Sequence, residues 1–213
     1  DLLFSALGLA LQGRSLAWVQ QGLERWKLAL VHQPDHFPAA EVLIPIREDI
    51  GKRPPLASLE LMWTPHRGPH LLVSGFVHPP TETRAWQALK LAGETNVLTI
   101  KGLEGSTDLP ISRACVTGRP DGDSDGRLIL HPRDHDCYGE DPRWESLELW
   151  TGQAFAALGG QGPLATPLIW NAGTYLWQAG HCASQEAGLA QCRALLHDGA
   201  ALRLLDTIRQ QTA

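Results

Sequence analysis

The spacing of apolar positions predicts strands that alternate with helices in the middle of the chain. Leu71 to Val77 and Val97 to Ile100 are short runs of apolar and β-branched residues, as in buried strands. Between them lies a segment with helical spacing, with Thr81 as its N-cap and Gly93 at its end. Strand, helix and strand at these intervals form a βαβ pattern. We therefore expect an α/β fold with a mixed, largely parallel sheet and flanking helices.

Helical periodicity also marks the beginning of the chain. Ser15 is a suitable N-cap for a helix with one apolar face, and such a face is more typical of core than of a cofactor site. The face consists of Leu16, Val19, Leu23 and Trp26. The apolar residues from Leu28 to Val31 then predict a brief strand.

A second helix is predicted from Pro38 to Ile50, because proline is favoured in a first turn and Gly51 ends the apolar pattern. Its spacing directs Val42 and Ile46 inward and leaves Arg47 near the end of the helix.

The remainder of the chain predicts two shorter strands followed by helices. Arg113 to Thr117 and Arg127 to Leu130 are the strands, and the chain is helical from Glu145 onward. Ser184 predicts the N-cap of a helix that ends at His197. We expect residues 1–213 to form one α/β domain of catalytic type.

Composition narrows the class of protein. The 213 residues are 43% hydrophobic and carry a formal net charge of −5, which predicts a globular chain and argues weakly against a broad nucleic-acid surface. The four cysteines are widely spaced, which is typical of reduced thiols in a cytoplasmic protein. No apolar run is long enough to predict a membrane span. Because the chain opens on Asp1 without an initiator methionine, we expect an upstream part to be missing.

The loop after Val97–Ile100 is the strongest candidate for chemistry. Ligand sites in open α/β sheets lie beyond the carboxyl ends of strands, and Gly102 and Gly105 allow close approach of a backbone. The carboxylates of Glu104 and Asp108 could hold a divalent cation through oxygen ligands. A solvated turn that only connects two strands is the alternative explanation.

Three other segments have weaker chemical patterns. Lys52 and Arg53 precede two prolines and could contact phosphate, although a solvated loop is the more ordinary explanation. The acidic turn of Asp121, Asp123 and Asp125 lacks the twelve-residue loop and the terminal glutamate of an EF-hand. In the third segment, the spacing of His131, His135 and Cys137 is one that can bind zinc. No second pair of ligands lies nearby in the sequence.

Several motifs in the same order resemble one known family. The segment Asn171-Ala172-Gly173-Thr174-Tyr175 is similar to the asparagine-alanine helix near the C-terminus of anthranilate phosphoribosyltransferases. Asp198 to Leu202 resembles the turn that follows in that family. Upstream, Phe37 to Ala40, Pro45 to Arg47 and Gly51 to Arg53 resemble its proline-alanine helix, its arginine and its glycine-x-arginine segment.

The resemblance implies a reaction and a set of roles. The family transfers a phosphoribosyl group from phosphoribosyl pyrophosphate to a nitrogen acceptor, with Mg²⁺ neutralising the pyrophosphate. Arg47 would orient a small aromatic acid or amine, and the metal ligands would be Glu104 and Asp108. The remaining implied substrate-binding residues are His36, Lys52, Arg53 and Lys101. The resemblance further implies a homodimer in the full-length protein, and places a helical domain and a glycine-rich phosphate loop upstream of Asp1.

The chain also departs from the family pattern. An ungapped register aligns Thr107 and Asp108 with the family's two adjacent metal-binding acids, so only the second acid is kept. Glu104 would substitute from three residues earlier. Phe37 replaces a family histidine, with His36 one position away. These departures resemble a divergent branch of the family that has been associated with nucleic-acid binding, and a non-catalytic nucleic-acid binder and a structural or dimerising module therefore stay open as alternatives.

If the loop is a metal–pyrophosphate site, the carboxylates of Glu104 and Asp108 should lie within about 8 Å of each other.

We also expect this chain alone to show no transferase turnover, because positioning by the missing phosphate loop supplies much of the rate acceleration in such reactions. The measurement is product formation from phosphoribosyl pyrophosphate and an amine, with heat-denatured protein as the control. Turnover well above that control would contradict the expectation.

Overall fold

The computed structural model describes residues 2–51, 62–120 and 126–212. Lys52, Arg53, Asp121, Asp123 and Asp125 lie outside the described residues. The described α-helices are α1 Leu2–Ala6, α2 Leu16–Trp26, α3 Gln33–His36, α4 Leu43–Ile50, α5 Pro79–Leu91, α6 Leu147–Leu158, α7 Ala165–Gln178, α8 Gln185–His197 and α9 Ala200–Thr212. The strands are β1 Leu72–Gly75, β2 Val97–Ile100, β3 Cys115–Gly118 and β4 Arg127–Leu130. Short 3₁₀ turns cover Pro38–Ala40, Leu103–Gly105 and Pro132–His135.

The four described strands form one mixed sheet in the order β1-β2-β3-β4. β1 and β2 are parallel, whereas β2–β3 and β3–β4 are antiparallel. The predicted α/β class and the mixed sheet are therefore confirmed, but in the described part the parallel pairing is confined to β1–β2. The reason is the connection between β2 and β3, which holds only a 3₁₀ turn and not the helix that usually makes a parallel crossover.

β2 is the central strand, and its two faces contact different helices. All four of its residues are buried. Leu98 and Ile100 face the main core, which includes Trp170 of α7 and Leu189 of α8. Val97 packs on the opposite face with Leu89 of α5. Burial on both faces is why this segment is a continuous run of apolar and β-branched residues.

A buried ion pair joins α5 to the far edge of the sheet. Glu82 is fully buried, and its Oε2 accepts a hydrogen bond from Arg127 Nε at 2.9 Å and forms an ion pair with Nη2 at 2.8 Å. The Thr99 hydroxyl lies 2.7 Å from Glu82 Oε1 and accepts a hydrogen bond from the Trp86 indole. Removal of Arg127 would leave the Glu82 carboxylate buried without this counter-charge, so the pair fixes how α5 lies on the sheet.

α7 and α8 cross at two glycines. A Cβ at Gly188 would lie 2.1 Å from the carbonyl oxygen of Gly173, and one at Gly173 would lie 2.7 Å from the Cα of Leu189. Only residues without a side chain permit this backbone contact. The glycine of the asparagine-alanine motif therefore has a packing role.

Several local expectations were wrong. Leu28–Val31 forms no strand, because no described strand pairs with it. The helix expected from Pro38 is divided into a 3₁₀ turn and α4, since the ring of Pro45 is tolerated only in the first turn of an α-helix. α5 begins at Pro79 with His78 as its N-cap, so Thr81 lies inside the helix.

The apolar faces of α2 and α4 are less buried than their spacing predicted. Val19 is buried and Trp26 packs against a small cluster with Leu9, but Leu16 and Leu23 are exposed. In α4 none of the residues is buried, and Val42 and Ile46 are 69% and 50% exposed. Spacing identifies an apolar helix face, but it does not show whether another element covers that face.

The partly buried pair of His70 and Glu94 makes stability depend on pH. The Gly68 carbonyl and the Glu94 carboxylate hydrogen-bond to the two His70 ring nitrogens and raise the histidine pKa above its ordinary 6.5. Because the pKa of His70 is raised in the folded state, its protonated form stabilises the fold. This stabilisation is fully present below pH 6.5 and is lost as the pH rises through the folded-state pKa.

We therefore predict that Glu94→Gln lowers the free energy of unfolding at pH 6, and that the deficit shrinks towards zero at pH 8.5. Urea titrations of the wild type and of Glu94→Gln at pH 6 and at pH 8.5 measure the free energy of unfolding. Glu24→Gln, which removes an exposed carboxylate from α2, is the matched control. An equal deficit at both pH values would contradict a role for the protonated histidine.

Candidate functional site

The loop that follows β2 is closed by its own backbone. Leu103 N donates to Asp108 O at 2.9 Å, and Ser106 N donates to Leu103 O at 2.9 Å. Inside the 3₁₀ turn, Glu104 has a φ of 51°, a left-handed conformation that is uncommon for a residue with a side chain. The closure and this conformation give the loop one defined shape.

Gly102 and Gly75 allow close contacts between parts of the protein backbone. A Cβ at Gly102 would lie 2.1 Å from Ser106 O. A Cβ at Gly75, the last residue of β1, would lie 2.2 Å from Gly105 O. The end of β1 therefore approaches the backbone of the loop closely, which the absence of a side chain at Gly75 permits.

Two of the predicted site residues line one open cavity. The side chains of Glu104 and Asp108 are exposed and border a cavity of about 1010 Å³. Asp108 Oδ2 accepts a hydrogen bond from Ser106 Oγ at 3.2 Å. The other carboxylates of the lining are Glu140 and Asp141, and Arg143 and Trp144 also contribute.

An adjoining cavity of about 460 Å³ is mostly apolar. It shares Leu103, Asp108, Asp141 and Pro142 with the larger cavity. Its other walls come mainly from α6 and α7, with Trp150 and Leu168 among them. Asp108 therefore lies where a charged space meets an apolar one.

Two side chains of α7, one helical turn apart, hold the loop. The Asn171 side chain accepts a hydrogen bond from Leu109 N at 2.7 Å and donates to Leu109 O at 3.0 Å. Tyr175 donates its hydroxyl hydrogen to Thr107 O at 2.5 Å. Burial raises the pKa of Tyr175, so the phenol stays a donor at physiological pH. The motif that suggested the family thus fixes the segment that carries Asp108.

Asp141 holds the next stretch of the same loop. Its Oδ1 accepts hydrogen bonds from Ile111 N at 2.8 Å and Ser112 N at 3.2 Å. Its Oδ2 accepts from the Ser112 hydroxyl and from Arg113 Nη1. The sequence did not indicate Asp141 as a site residue, because nothing in its local pattern indicates a contact thirty residues away.

The other predicted residues lie elsewhere. His36 ends α3 and Arg47 lies in the last turn of α4, and the lining of these two cavities includes neither of them. Lys101 is exposed just after β2, but it is also absent from the two linings. Nearby, burial raises the pKa of the Cys115 thiol to about 12, so this cysteine is a poor nucleophile.

Two further features of the described part of the chain concern metal binding and membrane spans. No group of three or more histidine, cysteine, aspartate or glutamate side chains there is arranged to hold a metal ion. None of the described helices has the length and hydropathy needed to cross a bilayer.

The architecture matches a known fold. The mixed α/β structure has the fold of phosphoribosyltransferase domains, which confirms the predicted fold. The match to an anthranilate phosphoribosyltransferase from Saccharomyces cerevisiae in complex with 4-fluoroanthranilate covers 99% of this chain and 62% of the yeast chain, with a TM-score of 0.84 at 13% identity. A second structure of anthranilate phosphoribosyltransferase from the same organism is in complex with phosphoribosyl pyrophosphate (PRPP) and Mg. The match covers 99% of this chain and 62% of the yeast chain, with a TM-score of 0.80 at 14% identity.

The sequence is similar to a particular enzyme of that class. The anthranilate phosphoribosyltransferase of Verminephrobacter eiseniae is 28% identical over 189 residues, which is 87% of this chain and 55% of the relative. No family model matches the chain. The chain is thus similar to anthranilate phosphoribosyltransferases in sequence and in fold, which confirms the resemblance seen in its motifs, and it spans about half the length of the curated relatives it matches.

The two-way hydrogen bond of Asn171 gives a test of the loop anchor. We predict that Asn171→Ala destabilises the protein by about 2–4 kcal/mol, because it leaves the N–H and C=O of Leu109 unpaired. For a chain of this size the unfolding temperature should fall by at least about 4 °C in calorimetry.

Gln210→Ala is the control for this substitution, since it truncates an exposed amide on α9. It should change stability by less than about 0.5 kcal/mol. Similar unfolding temperatures for the Asn171 and Gln210 variants would show that the loop does not depend on α7.

Proposed function

We propose that the full-length protein containing this chain is a phosphoribosyltransferase that acts on a nitrogen acceptor. The observation that carries the proposal is the placement of Glu104 and Asp108 on one cavity, in a loop held by the Asn171 and Tyr175 side chains of the family-like helix. Similarity in sequence and fold to anthranilate phosphoribosyltransferases supports it. Because the chain spans only part of those relatives, the activity is proposed for the whole protein.

The reaction transfers the phosphoribosyl group from pyrophosphate to nitrogen. A bond forms between the acceptor nitrogen and C1 of the ribose as the bond from C1 to the pyrophosphate oxygen breaks. Pyrophosphate leaves with that bonding electron pair, and the nitrogen gives up a proton. The protein's part is to position the reactants and to balance the negative charge of the leaving group.

The residues present fit a magnesium ion. Mg²⁺ prefers oxygen ligands, and it is commonly held by one or two carboxylates together with substrate phosphates and water. Glu104 and Asp108 would supply the two carboxylates, so a third protein ligand is not required. When bound, the ion would neutralise charge on the pyrophosphate. The yeast neighbour in complex with PRPP and Mg supports this choice of metal.

The loop anchors have a defined part in this function. Asn171 and Tyr175 fix the main chain on either side of Asp108, so its carboxylate is presented from one backbone position. Thr107, which replaces the family's first acid, uses its carbonyl oxygen for Tyr175. Arg47, His36, Lys52, Arg53 and Lys101 stay predicted substrate-binding residues.

We predict that Asp108→Asn and Glu104→Gln each weaken binding of phosphoribosyl pyrophosphate about tenfold, which is 1.4 kcal/mol. The reason is the loss of one anionic ligand for the ion that accompanies the substrate. Isothermal titration of the full-length protein in MgCl₂ measures the affinity, and a second titration in EDTA measures binding without the metal.

Glu24→Gln is the matched control, because it removes an exposed carboxylate that belongs to neither cavity lining. It should bind like the wild type. Equal affinities for all four proteins, or equal affinities with and without magnesium, would refute the site. Binding of DNA with a steep salt dependence, and no binding of phosphoribosyl pyrophosphate, would favour the nucleic-acid alternative.

A further inference from the structure

Two separate stretches of the chain contribute walls to the cavity that contains Glu104 and Asp108. The first wall includes Asp108 and Ser112, and the second wall is the continuous segment 140–144. The two walls are about thirty residues apart in sequence, so the covalent chain does not fix the distance between them. The width of the cavity therefore depends on the non-covalent contacts that join the two walls.

Asp141 joins the two walls through one carboxylate. Its Oδ1 accepts hydrogen bonds from Ile111 N at 2.8 Å and from Ser112 N at 3.2 Å. Its Oδ2 accepts from the Ser112 hydroxyl and from Arg113 Nη1 at 3.4 Å. A backbone hydrogen bond from Gly139 N to Ile111 O at 3.2 Å joins the same two stretches. Most of these contacts therefore depend on a single side chain.

The second wall has little structural support of its own. Residues 142–146 are exposed and belong to neither a helix nor a strand. At one end the Ser146 side chain accepts a hydrogen bond from Leu149 N and caps α6. At the other end Asp141 connects the segment to Ile111, which is buried in the main core. The place of the second wall therefore relies on Asp141 at the end nearest the first wall.

The same hydrogen bonds occupy the Asp141 carboxylate fully. An ionised carboxylate has about four lone-pair sites, two on each oxygen. In Asp141 each oxygen already accepts from two protein donors. A magnesium ion would have to displace some of these donors, although Asp141 lies in the same lining as Glu104 and Asp108. Asp141 is therefore suited to position the walls and not to bind the ion.

We infer that Asp141 is a positioning residue for phosphoribosyl pyrophosphate, which sets the width of the cavity by holding segment 140–144 to Ile111 and Ser112. It acts through the hydrogen bonds that its oxygens accept, and not through its charge. This inference rests on the proposed function, because it takes the cavity with Glu104 and Asp108 as the place of the magnesium-bound pyrophosphate. A change in width would displace one wall relative to the other, and small displacements are costly for a site that works by positioning.

Two substitutions of Asp141 separate geometry from charge. Asp141→Asn removes the charge but keeps the length of the side chain, so its oxygen can accept from Ile111 N and Ser112 N. It loses the contact with Arg113, which is an exposed ion pair and contributes little. Asp141→Glu keeps the charge but adds a methylene group, so the carboxylate no longer fits between the walls. A positioning role predicts that the asparagine variant binds phosphoribosyl pyrophosphate better than the glutamate variant, and a role in charge or metal binding predicts the opposite order.

Isothermal titration of the full-length proteins with phosphoribosyl pyrophosphate in MgCl₂ measures the affinities, at a temperature where circular dichroism shows each protein folded. We expect Asp141→Asn to bind within about threefold of the wild type, and Asp141→Glu to bind about tenfold more weakly than the wild type. Asp141→Ala, which removes every contact of the side chain, is a second variant with the same expectation as Asp141→Glu. Asp206→Asn and Asp206→Glu are the matched controls and should bind like the wild type, because Asp206 is exposed on α9 and belongs to neither cavity lining.

The outcomes separate this inference from the proposed function. If Asp108→Asn weakens binding of phosphoribosyl pyrophosphate but Asp141→Glu and Asp141→Ala bind like the wild type, the positioning role is refuted and the proposed function stands. Binding by Asp141→Asn that is as weak as binding by Asp141→Glu, or weaker, would refute the positioning role too, because the charge would then matter more than the hydrogen bonds. A wild type that does not bind phosphoribosyl pyrophosphate would overturn both proposals.

Discussion

The paired hydrogen bonds between Asn171 and the backbone of Leu109 hold the candidate site in its shape. The amide side chain meets the main chain as another peptide group would, with one donor and one acceptor on each side. This contact spans 62 residues and joins α7 to the loop after β2. The position of α7 is in turn set by its glycine contact with α8. A chain of packing contacts thus runs from the C-terminal helices to Asp108.

The opposite face of the sheet is stabilised by different chemistry. There the buried Glu82 carboxylate pairs with Arg127 and Thr99, which join α5, β2 and β4. A buried charge is tolerated only with a partner, so this network specifies one arrangement of helix on sheet. β2 belongs to both systems, because its alternate residues face α5 and α7. Its end is consequently a rigid base for the loop.

The cavity that contains Glu104 and Asp108 carries charges of both signs on its walls. Its four carboxylates repel an anion unless a cation accompanies that anion, as the proposed function requires. Arg143 adds a positive charge to the same lining. The net charge of −5 does not show this local arrangement, because it sums over the whole surface.

The chain's own sequence determined the α/β class, the burial of Val97–Ile100, the Ser184 cap and the loop that carries Glu104 and Asp108. Each depends on neighbouring residues, whose periodicity and chemistry are visible in order. Tertiary structure alone decided that β3 pairs antiparallel with β2, that Val42 and Ile46 stay exposed, and that Asp141 and Asn171 anchor the loop. These outcomes depend on contacts between residues far apart in the chain. A local pattern carries no information about which distant backbone groups will need a partner.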